Sequence, residues 1–275
     1  MEFDRAGLDV WTGETTFEVT RERLAEYAAA TNDPIDAHRR GDVASPVFAI
    51  VPVFQTLLEP AVEVVPLPLV GRIVHGEQDF RFHRPIRPGD RLTARGKMTG
   101  WTGRDNGTAA TVRLETRDDG GDLVNEQDVT FFVRGFNAGS AGAEPPGHKF
   151  DESLRAQDPV AEVVQHVDDD QTHRYAPAAG DPMPIHLDAE VARAAGLPGI
   201  IAHGLCTMAF TSWAVLTELA GSDVTRLRRL AVRFAKPVLP GQDLTTRVWR
   251  AGSAYAYETT VGDTVVIKDG LAEID

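Results

Sequence analysis

The chain has 275 residues, 42% of them hydrophobic and 25% charged, a globular, soluble balance with length for one large domain or two ordinary ones. Its formal charge of −13 argues against nucleic acid as a partner, because neutralising phosphates takes basic surface. No run approaches the roughly 18 consecutive apolar residues of a membrane span, the acidic start MEFDRAGLDVWTGE does not read as a secretory signal, and a single cysteine, Cys206, forbids an internal disulfide and suits a reducing cytoplasm.

In chain order, TTFEVT (15–20) alternates and predicts a strand, and Thr20 is placed to cap a helix from Arg21 to about Ala30. VPVFQTLLEPAVEVV (51–65) predicts an apolar helix in which Pro52 suits the first turn and Pro60 ends or bends the helix. Strands are predicted over 108–117 and 122–134. GFNAGSAGAEPPGHKFDE (135–152), rich in Gly, Ala and Pro, reads as a linker. Beyond it the order recurs: a proline-bearing segment, the apolar helix HGLCTMAFTSWAVLTELA (203–220), then strands at 230–235, 244–252, 254–261 and 264–274.

The recurrence is visible in the residues themselves. RFHRPIRPGDRLTAR (81–95) aligns with RFAKPVLPGQDLTTR (233–247) at an offset of 152, and YAAATNDPIDAH (27–38) aligns with YAPAAGDPMPIH (175–186) at an offset of 148. An offset of this size is a domain length, so the chain reads as one fold duplicated and fused: 1–134, a linker at 135–152, and 153–275. The predicted class is α+β, with an antiparallel sheet wrapped around a central helix in each half and the two sheets paired edge to edge.

The second half carries GDPMPIHLDAEVARAAGLPGIIAHG (180–204). Asp181 and His186 stand five apart across Pro182 and Pro184, whose rings restrict the backbone so that both side chains can point into one space. An imidazole beside a carboxylate can take a proton from water near neutral pH. His203-Gly204 then opens a helix, whose first free N–H groups carry the positive end of its dipole; Gly204 lets an oxygen approach them, as an oxyanion hole requires. On this reading His203 is structural, with its backbone more useful than its ring. Cys206 is a buried thiol, and Asp188 caps the helix AEVARAAG.

This segment resembles the MaoC-like, (R)-specific enoyl-CoA hydratases (hydratase 2). Their pattern is Asp, any residue, Asn-Pro, an aliphatic residue and His, followed by Asp, an alanine-rich helix, Gly, and an aliphatic-Ala/Val-His-Gly. One position departs from it: Met183 stands where the family has asparagine, which puts the ordering of the loop in question. The resemblance implies a double hotdog and a hydro-lyase that interconverts a trans-2-enoyl thioester and an (R)-3-hydroxyacyl thioester. Asp181, His186 and the Gly204 N–H would do the chemistry, and Tyr175, Ile185, His203, Arg229, Arg233 and Lys236 would contact substrate. The partner is an acyl-CoA or acyl-carrier-protein thioester, and the chain acts alone or as a homodimer. Water addition is redox-neutral, so no cofactor is expected; the eight histidines show no metal-ligand spacing.

The first half keeps the spacing in Asp33 and His38, but Val51-Pro52 stands at the position of His203-Gly204, and proline has no N–H to offer. That half is predicted to be non-catalytic, a groove for the acyl chain or part of an interface. Two other functions stay open: hotdog thioester hydrolysis, for which Glu218 lies far from the His-Gly end, and non-catalytic acyl-thioester binding.

Overall fold

A computed structural model describes residues 1–145 and 147–275. The first half opens with β1 (Thr15–Glu18) and α1 (Arg21–Ala30), where the Thr20 hydroxyl accepts from the Arg23 N–H as the expected cap. There follow α2 (Asp36–Arg39), a 3-10 stretch (Pro46–Val53), α3 (Phe54–Val64) and α4 (Leu67–Val70). Strands β2 (Ile73–Phe82), β3 (Arg91–Arg104), β4 (Gly107–Arg117) and β5 (Leu123–Arg134) complete that half, and a short β6 (Ser140–Gly142) comes next. The second half runs β7 (Ala161–His166), α5 (Gln171–Ala179), α6 (Ala189–Ala194), α7 (Gly204–Leu219), β8 (Leu227–Phe234), β9 (Asp243–Ala251), β10 (Ala254–Val261) and β11 (Thr264–Ile274).

All strands join one antiparallel sheet in the order β1-β3-β4-β5-β2-β8-β11-β10-β9-β7, with β6 added on β3. Read outward from the middle, the two halves have the same strand order, and they meet edge to edge at β2 and β8. There Glu77 faces Arg233 and Arg81 faces Arg229. Because Arg81 and Arg233 are equivalent in the internal repeat, shifting one of these pairs by the repeat offset gives the other. The ladder therefore has the symmetry of a two-fold axis at its centre. This is a double hotdog: joining the two sheets removes one exposed edge from each, and one apolar core runs through both halves.

Helix α7 lies in that core. Leu205, Cys206, Met208, Phe210, Val215 and Leu216 are buried, while Thr211 and Ser212 satisfy their hydroxyls on the Met208 and Ala209 carbonyls at 2.8 and 2.7 Å. Its counterpart α3 does not end at Pro60; it runs on to Val64. Proline leaves the Thr56 carbonyl without its helical donor, and β3 crosses close to that oxygen. A Cβ on Gly96 would lie 2.8 Å from it, so only glycine allows the approach. The joined helical run Pro46–Val64 is long and apolar enough to cross a membrane by length and composition, although Gln55, Glu59 and Glu63 interrupt its apolar residues; 67% of its 18-residue apolar window is buried inside the protein as core.

The predicted linker is a fastened strap. Beyond β6, the Phe150 N–H donates to the Asp269 carboxylate at 3.0 Å and the Phe150 ring packs edge-on against Trp249 at 5.3 Å. Pro146, inside that predicted linker, lies outside the described residues.

Candidate active site

Helix α5 stops at Gly180, whose left-handed conformation (φ 73°) turns the chain into the 181–186 segment. The Asp181 N–H bonds back to the Ala176 carbonyl at 3.0 Å, and one Asp181 carboxylate oxygen accepts from the Met183 N–H at 3.2 Å. The Met183 carbonyl accepts from the His186 N–H at 3.0 Å, closing a 3-10 turn over Pro184–His186. Asp188 then caps α6, accepting from the Glu190 and Val191 N–H groups. The chain returns through Ala202, pinned to the Val238 carbonyl at 2.7 Å, and enters α7 at Gly204.

This route stacks the His186 ring on the His203 ring, with centroids 3.8 Å apart and planes 27° from parallel. One ligand-type atom from each of Asp181, His186 and His203 lies within 4.8 Å of the others. His186 Nδ1 is 2.8 Å from the Ile201 carbonyl oxygen, which only accepts, so Nδ1 carries the proton and Nε2 presents its lone pair. The His203 Nε2–H donates to the Asp181 backbone carbonyl at 3.2 Å. Gly204 begins α7, whose first N–H groups have no carbonyl a turn earlier to bond. A side chain at 204 would stand 3.3 Å from the Phe234 ring, so glycine is needed for packing as well as access.

Burial sets the charges. It raises the Asp181 carboxyl above its ordinary value, a shift opposed by the nearby His186 and the Met183 N–H. Burial lowers the His186 imidazole, opposed by the Ile201 carbonyl and by Asp181. His203 is pushed down to about 3, first by burial and then by His186. At neutral pH both rings are neutral, and the N-terminal end of α7 adds a positive dipole close by.

Residues 151–270 match the MaoC like domain family, and residues 7–127 match the FAS1-like, dehydratase domain region. The chain is 31% identical to 3-hydroxyacyl-thioester dehydratase Y of Mycobacterium tuberculosis, over 73% of this chain and 72% of that protein. The chain belongs to the MaoC-like dehydratase family. It is also 28% identical to the peroxisomal enoyl-CoA hydratase 2 of Arabidopsis thaliana, over 90% of this chain and 87% of that protein. It spans less than a third of the animal peroxisomal multifunctional enzymes of type 2 that it matches. A MaoC-like dehydratase from Phytophthora capsici superposes with a TM-score of 0.86 at 24% identity, covering 98% of this chain and 97% of that one.

In this MaoC-like chain the predicted site residues fall into two groups. Asp181, His186, His203 and Gly204 come together at the start of α7, and Ile185 sits partly exposed within the same turn. Tyr175, expected to contact substrate, is 1% exposed; its ring packs on His203 at 4.8 Å and its hydroxyl meets that of Tyr27 at 3.2 Å. Arg229 and Arg233 also need correction. Strand alternation sends Leu230 and Val232 into the core beside α7 and turns the two arginines to the opposite face. There Arg229 makes paired bonds to Asp79 at 3.0 and 2.7 Å and reaches Glu273, while Arg233 lies near Glu77 and Asp269. Their charges are already matched. A cleft of about 420 Å³ on that face is lined by Glu77, Asp79, Asp269 and Arg233 and by no residue of the 181–186 turn. Lys236 stays exposed at the end of β8, on the loop that pins Ala202, and among the described residues it enters no ion pair.

The Ile201 carbonyl orients the His186 ring, a contact that sequence spacing does not show. The histidines were expected to form no metal set, yet Asp181, His186 and His203 gather from three segments. The stacked rings keep their in-plane lone pairs from converging on one ion at ordinary bond lengths of about 2.1 Å. Sequence reading also gave Tyr27 and Phe234 no role at the site. Tyr27 did carry a signal, since it matches Tyr175 in the internal repeat, and equivalent residues near a two-fold axis meet each other.

Proposed function

We propose that the protein adds water reversibly across the double bond of a trans-2-enoyl thioester to give an (R)-3-hydroxyacyl thioester. The observation that carries this reading is the neutral His186 Nε2 and the Asp181 carboxylate gathered at the N-terminal end of α7. A water held between them gives its proton to His186 Nε2 as its oxygen bonds to C3 of the enoyl group. Asp181 accepts the second O–H of that water and so aims it. The electron pair of the double bond moves onto the thioester oxygen, where the Gly204 N–H and the helix dipole stabilise the charge. C2 then takes the proton from the His186–Asp181 pair, and the enzyme returns to its starting state.

The acyl carrier is coenzyme A or the phosphopantetheine of a carrier protein, and Lys236 is the exposed cation placed to meet its phosphates. The single thiol, Cys206, is buried and its pKa is raised by burial, so it takes no part in the proposed chemistry. The first half, residues 1–134, is non-catalytic in this reading. The test is a hydration assay over crotonyl to dodecenoyl thioesters, followed by loss of the conjugated enoyl absorbance, with the configuration of the product determined. Hydration to the (R)-alcohol is expected; release of free thiol without hydration would make the protein a thioesterase and end the proposal.

A further inference from the structure

The ordering of the 181–186 turn needs a source, because Met183 replaces the family's asparagine. Its side chain is 48% exposed and carries no hydrogen-bonding group comparable to an amide. His186 is held on one edge by the Ile201 carbonyl and on one face by the His203 ring. His203 is itself under-anchored: Nε2 has the Asp181 carbonyl, but Nδ1 is buried without a partner. Packing must therefore fix its plane, and an aromatic ring set on it is Tyr175, at 4.8 Å and 50°. The Tyr175 hydroxyl in turn meets the Tyr27 hydroxyl, and both phenols are buried. Tyr27 belongs to α1 in the opposite half, with Phe48 edge-on to it at 5.4 Å.

We infer that Tyr27, from the half without the Asp181–His186 turn, is a positioning residue for His186, acting through Tyr175 and His203. Burial keeps both phenols protonated, so one hydroxyl donates to the other whatever the working pH. Removing the Tyr27 hydroxyl leaves that of Tyr175 without its partner in a dry site. The ring that backs His203 then gains freedom, and His203 loses its fixed plane under His186. This inference rests on the hydratase reading of the site.

The experiment uses the full chain with Tyr27→Phe, Tyr175→Phe and the double variant, assayed with crotonyl-CoA across pH, with Asp181→Asn alongside. Each phenylalanine keeps its ring, so packing of the core is retained. Tyr27→Phe is expected to lower kcat about tenfold, with KM little changed. The acid limb of its kcat profile should move to higher pH, as water reaches His186 and relieves the burial that holds its pKa down. The groups facing that ring are Asp181 and His203, and neither is altered. The double variant should be no slower than the slower single one, because the two hydroxyls act as a unit. Unchanged kcat and acid limb in Tyr27→Phe, or effects that multiply in the double variant, would overturn the inference. An active Asp181→Asn enzyme would instead remove the reading beneath it.

Discussion

The two halves each contain an aspartate and a histidine five residues apart, and they are wired in opposite ways. In the first half the carboxylate and ring bond each other: Asp33 to His38 Nδ1 at 2.7 Å, with both side chains almost wholly buried. The other Asp33 oxygen accepts from the Ile35 N–H. In the second half, among the described residues, no hydrogen bond joins the two side chains. Each is held by backbone instead, Asp181 by the Met183 N–H and His186 by the Ile201 carbonyl. One carboxylate oxygen and Nε2 are left for a water. Direct pairing and the Ile35 N–H take up both Asp33 oxygens and leave the pair only the buried His38 Nε2, while separate backbone anchors leave a carboxylate oxygen as well as a ring nitrogen in the second half. The same spacing thus yields a buried, directly hydrogen-bonded pair in one half and, in the other, the pair to which the proposed chemistry is assigned.

The sharpest way to break that contrast is to remove the ring in each half. His186→Ala is expected to lower kcat about a thousandfold, while the urea midpoint stays near that of the parent. His38→Ala should do the reverse: kcat per folded molecule holds, and stability drops by about 3 kcal/mol because a buried carboxylate loses its partner. A His38→Ala enzyme as inactive as His186→Ala would erase the distinction.

Access to the α7 terminus gives a smaller effect. Gly204→Ala would place a methyl group 3.3 Å from Phe234, and the helix start must shift by a few tenths of an ångström to admit it. A fall in kcat of about tenfold is expected; in the first half, where Pro52 already closes this position, Pro52→Ala should leave kcat as it was.

The pH dependence of stability is the mildest test. His203 has a folded pKa of about 3 against an ordinary 6.5, so below 6.5 the unfolded chain takes up a proton that the folded protein refuses. Stability is complete above that value and is lost as pH falls toward 3. Urea titrations at several pH values should show that slope, and His203→Gln should flatten it; an identical slope in the variant would contradict the burial of that ring.

Much of this was legible in the sequence, and the reason is periodicity. The repeat at an offset of about 150 gave the duplication, alternation gave β8, and Gly204 marked the start of α7. What stayed hidden depends on which way a strand faces and on what crosses from one half to the other. Arg229 and Arg233 sit close in sequence to the site, yet a period of two turns them to the far side of the sheet. The strap over 135–152 looked loose because its anchors, Asp269 and Trp249, come from the end of the chain. The carbonyl of Ile201 has no side-chain signature at all.

The central claim is tested most directly by hydration of crotonyl-CoA by Asp181→Asn and Asp33→Asn at equal concentrations of folded protein. The account predicts that the first loses activity by orders of magnitude and the second keeps the parent rate. A reversal, with Asp33 required and Asp181 dispensable, would place the chemistry in the wrong half and contradict it.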